Sequence, residues 1–232
     1  LIAGTHTVTI KDGNSCTLTT TYLVNNSGQP TSTVTAVTPV TCFGLANGSF
    51  TVVGSGGSGG PFTYTVTSPL ATNGNGQFTN LTANTYSIII ADGAGCTTTN
   101  TVTITEPPVL TLTATSVPAK CFGTATGTIN ITGAGGTPTY SYNLNAALPY
   151  QPSNTYTAVG GGIYTPGIQD ANGCTATTTI QVTEPTALGI TVSSTPANCT
   201  ASNGVASATV TGGTPLYTYT WTGGGGNSDI SN

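Results

Sequence analysis

Three features of the 232-residue sequence predict an all-β fold built as a tandem array with a period of about 79 residues. Phrases recur: Cys-Phe-Gly stands at 42–44 and 121–123, an Asp-x-x-Gly-Cys phrase or its near copy ends at Cys16, Cys96 and Cys174, and equivalent cysteines lie 78–80 residues apart. Short stretches alternate Thr with apolar residues, as half-buried strands do. Helix signals are missing, because no 3.6-residue apolar pattern is sustained and β-branched residues dominate. Repetition at this length implies small domains in series that reach or present, whereas catalysis normally needs one irregular cleft.

Within one period the elements follow in a fixed order. After Cys121 and a Gly-Thr-Ala-Thr-Gly turn, residues 128–132 form a strand with Ile129 and Ile131 on one face; Phe50 and Val52, and Ala206 and Ala208, occupy the same slots. A Gly-Gly-(Thr)-Pro turn follows at 59–61, 135–138 and 212–215, where Pro presets φ and Gly takes conformations closed to other residues. The next strand carries aromatic residues at a spacing of two. Phe62, Tyr140 and Tyr217 correspond, then Tyr64, Tyr142 and Tyr219, then Val66, Leu144 and Trp221. That face is assigned to the core, with Tyr64, Tyr142, Tyr219 and Trp221 as its aromatics and Trp221 filling the space between two sheets.

A variable segment comes next, from Val66 to Leu81 in the second period, short enough for one strand. Leu81-x-x-x-x-Tyr86, Val159-x-x-x-x-Tyr164 and Leu1-x-x-x-x-His6 then each lead into a strand that ends at Asp92, Asp170 or Asp12, with His6 in a Tyr slot. The Asp turn is hairpin chemistry: the carboxylate bonds backbone amides two residues on, and Gly takes the left-handed position. Thr-rich strands run on to Thr105-Glu106-Pro107-Pro108 and Thr183-Glu184-Pro185, where the prolines end the strand and stiffen the junction. The periods divide the chain into 1–29, the C-terminal part of a first repeat, complete repeats at 30–108 and 109–186, and 187–232, the N-terminal part of a fourth. Joining Asn232 to Leu1 continues the pattern of residues 77–86, so the sequence reads as a window on a longer array.

Composition narrows the function classes. Charged residues are 3% of the chain, against roughly 25% in ordinary globular proteins, so solubility rests on neutral hydroxyls and amides. Two basic residues, Lys11 and Lys120, give no footprint for nucleic acid. No apolar run reaches the roughly 20 residues of a membrane span, so no membrane insertion is expected.

Together the phrases resemble the SprB-type repeat of gliding adhesins and other giant surface proteins of Bacteroidota. They are Cys-Phe-Gly-x-x-x-x-Gly, Gly-Gly-Thr-Pro-x-Tyr-x-Tyr, Leu-x-x-x-x-Tyr, Asp-Ala-Asn-Gly-Cys and Thr-Glu-Pro, covering essentially the whole chain. The resemblance implies tandem immunoglobulin-like β-sandwich modules, export to the cell surface, and a role in adhesion, gliding or a surface filament. The chain departs from the pattern at Asn198-Cys199-Thr200, at His6, and at Tyr164-Thr165-Pro166, which sets a Pro inside a strand; irregular individual modules are expected.

Units this small carry roughly 3–5 kcal/mol of core stability, so a covalent staple would help, and two cysteines per period point to an oxidising, extracellular setting. Two pairing schemes stand open. Within a period, Cys42 pairs with Cys96 and Cys121 with Cys174, leaving Cys16 and Cys199 for repeats outside the window. Across the junctions, Cys16 pairs with Cys42, Cys96 with Cys121 and Cys174 with Cys199. Strand parity favours the first: four strands between two cysteines return the chain to its starting end, whereas five would exceed the roughly 4.4–6.8 Å Cα separation that a disulfide allows. A loop of that size is worth about 4 kcal/mol in the chain-entropy treatment.

The remaining motifs have plainer explanations. The Gly-x-G-x-x-G match at 54–59 lacks a following helix and is a turn. His6, the only histidine, has no Ser or Cys partner and replaces a packing tyrosine. Asp12, Asp92 and Asp170 are turn residues first; a calcium role would need six to eight oxygens. No zinc motif is present, and no metal or cofactor is expected. Asn25, Asn47, Asn80, Asn130 and Asn198 precede x-Ser/Thr by chance in a Thr-rich chain, and the Thr-x-Thr ladders are solvent faces of sheets. The sequence thus describes a non-catalytic extracellular structural array that associates with neighbouring repeats or protomers in a fibre. The alternative is an adhesin that recognises glycan or protein through the variable segments 67–79, 145–157 and 222–231.

Overall fold

The computed structural model describes residues 1–26, 28–58, 60–145, 149–201, 203–222 and 229–230, all of them strand, turn or irregular chain. By contact the chain divides into two compact units, Leu1–Pro107 and Pro108–Asn232.

The first unit opens with a hairpin of β1 (Gly4–Lys11) and β2 (Thr17–Val24), whose apolar residues Ile10, Leu18 and Leu23 are exposed. A complete sandwich follows. One sheet has the order β3-β4-β7, from β3 (Pro30–Thr38), β4 (Gly48–Gly56) and β7 (Gln77–Leu81). The other has the order β6-β5-β8-β9, from β5 (Thr63–Thr67), β6 (Leu70–Asn73), β8 (Asn84–Ala91) and β9 (Thr97–Ile104). All pairings in both sheets are antiparallel. A three-on-four sandwich with this connectivity is an immunoglobulin-like module.

Alternation explains the core. Phe50 and Val52 of β4 face Tyr64 and Val66 of β5, Tyr86, Ile88 and Ile90 of β8, and Val102 and Ile104 of β9, all buried in one cluster. The intervening threonines face out and pair across strands, as Thr85 and Thr103 do with hydroxyls 3.0 Å apart.

The variable segment holds two strands, β6 and β7, where the sequence suggested one. Leu70–Asn73 folds back on β5 as a hairpin, and Gln77–Leu81 crosses to the opposite sheet. Five strands therefore lie between Cys42 and Cys96. The glycine turn is also displaced from its expected place: the left-handed pair is Gly56–Gly57, matching Gly135–Gly136 and Gly212–Gly213, while Gly59 lies outside the described residues.

The second unit repeats this plan with a break. The first sheet is β10 (Thr111–Val117), β11 (Gly127–Ala134) and β13 (Thr155–Val159) in the order β10-β11-β13. The opposite face is split: β12 (Ser141–Asn143), β15 (Gly167–Gln169) and β16 (Thr175–Thr177) form one sheet, and β14 (Gly162–Tyr164) pairs with β17 (Ile180–Val182). Pro166 sits between β14 and β15, where the counterpart of β8 would run unbroken, because it has no N–H for the ladder. The core persists, with Ile129, Ile131, Val159 and Val182 buried.

The fourth repeat is a hairpin of β18 (Gly189–Thr195) and β19 (Val205–Thr211), flanked by β20 (Asp229–Ile230). Trp221 is not a core residue. It is 44% exposed and lines an open groove with Ile190 and Val192, since no second sheet covers this face among the described residues. Tyr219 is half-buried beside it, Tyr142 is half-buried against the third repeat's core, and Tyr64 is buried as expected.

Replacing fully buried Ile88 by Ala should lower the stability of the first unit by about 2–5 kcal/mol, whereas Thr99→Ala on the exposed face should stay within about 0.5 kcal/mol. Urea denaturation of the full chain, comparing midpoints at unchanged m-value, checks both.

Candidate functional site

The sandwich has two poles, and the residues that recur are concentrated there. Register defines them: Pro30, Gly56, Thr63, Ala91 and Thr97 lie at the end where the chain enters the repeat, and Thr38, Gly48, Leu81, Asn84 and Ile104 at the end where it leaves.

At the entry pole, Asp92 binds two turns at once. The Ser58 N–H donates to its Oδ2 at 2.9 Å, while the N–H groups of Ala94 and Cys96 donate to Oδ1 at 3.0 and 2.9 Å. Asp170 repeats the arrangement with Thr137 at 2.8 Å and with Asn172 and Cys174 at 2.9 Å each. Asp12 holds its own turn through Asn14 and Cys16 at 2.9 and 2.8 Å. The expected turn role of all three aspartates is thus what the geometry shows, and the second attachment, to the glycine turn, is what the sequence did not reveal. That attachment dictates Gly57 and Gly136. Both have positive φ, and a Cβ would sit 2.4 or 2.5 Å from the carboxylate oxygen of Asp92 or Asp170.

The N–H of Ser58, followed by those of Cys96 and Ala94 and by the Ser58 hydroxyl, stabilises the charged form and lowers the Asp92 pKa from 3.8, against the opposing effect of burial.

At the exit pole the acceptors are glutamates. The Gly44 N–H donates to Glu106 Oε2 at 2.7 Å and the Gly123 N–H to Glu184 Oε2 at 2.9 Å. Beside them, the Val40 N–H bonds the Thr105 carbonyl and the Ala119 N–H the Thr183 carbonyl, each at 2.9 Å. The Cys-Phe-Gly loop is therefore clamped onto the end of the last strand. In the Thr-Glu-Pro phrase the prolines are legible from sequence but the role of the carboxylate is not, because its partner lies about 60 residues away. Phe43 and Phe122 remain 55% and 58% exposed at the clamped loops.

A third recurring contact sits at the corner before β8. The Tyr86 hydroxyl donates to the Thr82 carbonyl at 2.9 Å, and the Tyr164 hydroxyl to the Gly160 carbonyl at 3.0 Å. His6 keeps the same four-residue bond, its Nε2 2.7 Å from the Ile2 carbonyl, and its ring stacks on Tyr22. Substitution of His for Tyr thus preserves the corner hydrogen bond, while the ring packs on Tyr22 rather than in a sandwich core. Such a tyrosine corner is a recurring device of immunoglobulin-like sandwiches.

The within-period cysteine pairing is not formed. Cys42 and Cys174 are disulfide-bonded, whereas Cys16, Cys96, Cys121 and Cys199 are thiols. With five strands between them, Cys42 belongs to the exit pole and Cys96 to the entry pole, roughly one eight-residue strand or about 25 Å apart, far beyond the reach of a disulfide. The same separation applies to Cys121 and Cys174. Nor are the three junction pairs formed, since each contains at least one thiol. Among the described residues no group of three or more His, Cys, Asp or Glu is placed to hold a metal ion.

Two successive repeats, the second and the third, each with the same clamp at either pole, define a tandem β-sandwich repeat protein. The repeat itself matches a known family model, SprB repeat, at residues 34–70, 113–148 and 191–226. The chain thus carries three SprB repeats, a repeat family associated with surface adhesin and gliding proteins. Comparison with curated proteins gives no match.

Because the folded-state pKa of Asp92 is depressed, its contribution to stability is complete above the unfolded value of 3.8 and is lost as pH falls through the folded value. Asp92→Asn should therefore be less stable than the parent at pH 7 and show a shallower loss of stability on acidification. Urea midpoints recorded between pH 7 and pH 2 test this; parallel curves for the two proteins would contradict it.

Proposed function

We propose that the chain is a load-bearing segment of an extracellular surface adhesin or filament. One observation carries the proposal: in the complete sandwich the chain enters at β3 on one pole and leaves from β9 at the other, so tension along the array would shear strands past one another. Shear loads many ladder hydrogen bonds together, whereas peeling breaks them one at a time. The family, the disulfide-bonded state of Cys42 and Cys174, and a surface almost without ions support an extracellular setting. In a fibre the partners are neighbouring repeats and other copies, and no catalytic step is assigned.

The variable segment supports a subsidiary reading as a ligand-binding adhesin, because it is a compact β5–β6 hairpin in the second repeat and an irregular passage from β12 to β13 in the third. The corresponding stretch of the fourth repeat, from 223 on, and residues 146–148 of the third lie largely outside the described residues.

Antibody raised against the folded chain should decorate thin fibres on intact cells by immunogold microscopy. Label appearing only after lysis, or on no extended material, would contradict the proposal.

A further inference from the structure

Within the second unit, the chain passing from the third repeat to the fourth is fastened to both repeats inside a few residues. On the third-repeat side, the Ala119 N–H donates to the Thr183 carbonyl and the Gly123 N–H to Glu184 Oε2, each at 2.9 Å. The Glu184 side chain lies where Gly161 leaves room for it, since a Cβ there would stand 2.5 Å from the carboxyl carbon. On the fourth-repeat side, the Gly213 N–H donates to the Thr186 carbonyl at 2.8 Å, as the Gly136 N–H does to the Pro108 carbonyl at the start of the third. Gly212 has positive φ, and a Cβ on it would overlap the Ala187 carbonyl oxygen, while its own carbonyl accepts from the Tyr217 hydroxyl. The glycine turn is thus seated directly on residues 186 and 187. Only Pro185 separates the two sets of anchors; its ring fixes φ and keeps Glu184 extended.

We propose that residues 183–187 are a strap that holds the fourth repeat at a fixed angle to the third, the joint being set by the strap and not by packing between the repeats. The surfaces flanking it are open grooves. One is lined by Lys120, Phe122, Leu188 and Tyr217, the other by Pro118, Thr183 and Pro215, and Phe122 stays 58% exposed. Two modules without a large apolar interface move relative to one another when a free linker joins them. A linker anchored by hydrogen bonds on both sides, with a proline between, keeps few soft dihedrals, so holding one angle costs little further conformational entropy. The strap belongs to this joint alone, and its test does not depend on where the array is displayed.

Residual dipolar couplings of backbone amides, recorded on the full chain in a dilute aligning medium, test this. In the parent, couplings from the β10–β11 and β18–β19 hairpins should fit one alignment tensor. Pro185→Gly, which keeps every strap hydrogen bond but frees φ, should reduce the alignment of β18–β19 relative to β10–β11, and inserting Gly-Ser-Gly-Ser after Pro185 should reduce it further. Couplings that still fit each hairpin's own geometry separate a loosened joint from misfolding. Two unrelated tensors in the parent would overturn the proposal, and so would a common tensor of full strength in either variant, because packing would then be holding the joint.

Discussion

The poles of the repeats depend on carboxylates that accept backbone N–H groups, Asp92 and Asp170 each from two separate pieces of chain. Turn amides are donors without ladder partners, and leaving them unpaired in a packed pole costs free energy. Of six acidic residues in the chain, five accept backbone N–H groups: Asp92 and Asp170 from two turns each, Asp12 within its own hairpin turn, and Glu106 and Glu184 from the Cys-Phe-Gly loops. Ionised acceptors make hydrogen bonds roughly twice as strong as neutral ones, so a few suffice to order loops that glycine would otherwise leave loose.

Ordered poles give the module its direction. Five strands between the two cysteines of a repeat put those cysteines at opposite ends, and the same parity sends the chain in at one end and out at the other. Pole chemistry, chain polarity and the failure of the two cysteines of a repeat to pair with each other are then consequences of one topology. Pro166 tests its tolerance. It divides the long strand of the third repeat into β14 and β15, yet Asp170, Glu184 and Tyr164 hold the same contacts as their counterparts in the second repeat.

Much of this was legible from sequence because the signals are local. The Asp turn spans five residues and appears where its spacing placed it, and of the aromatic residues read two apart as a core face Tyr64 is buried there. The failures were non-local. Gly44 and Glu106 are 62 residues apart, and nothing between them signals contact. Residues 70–81 are rich in Thr, Asn and Gly, which masked two short strands and reversed the parity on which the cysteine pairing rested. Trp221 was read by alignment with Val66, a position buried only because a second sheet covers it.

The central claim is that carboxylate-bound amides make the poles as ordered as the sheets between them. Amide hydrogen exchange measures this directly, residue by residue. At pH 7 the N–H groups of Gly44, Ser58, Cys96, Gly123, Thr137 and Cys174 should exchange as slowly as ladder amides of β4 and β8. Exchange at the rate of unstructured turns, with only the ladders protected, would contradict the account.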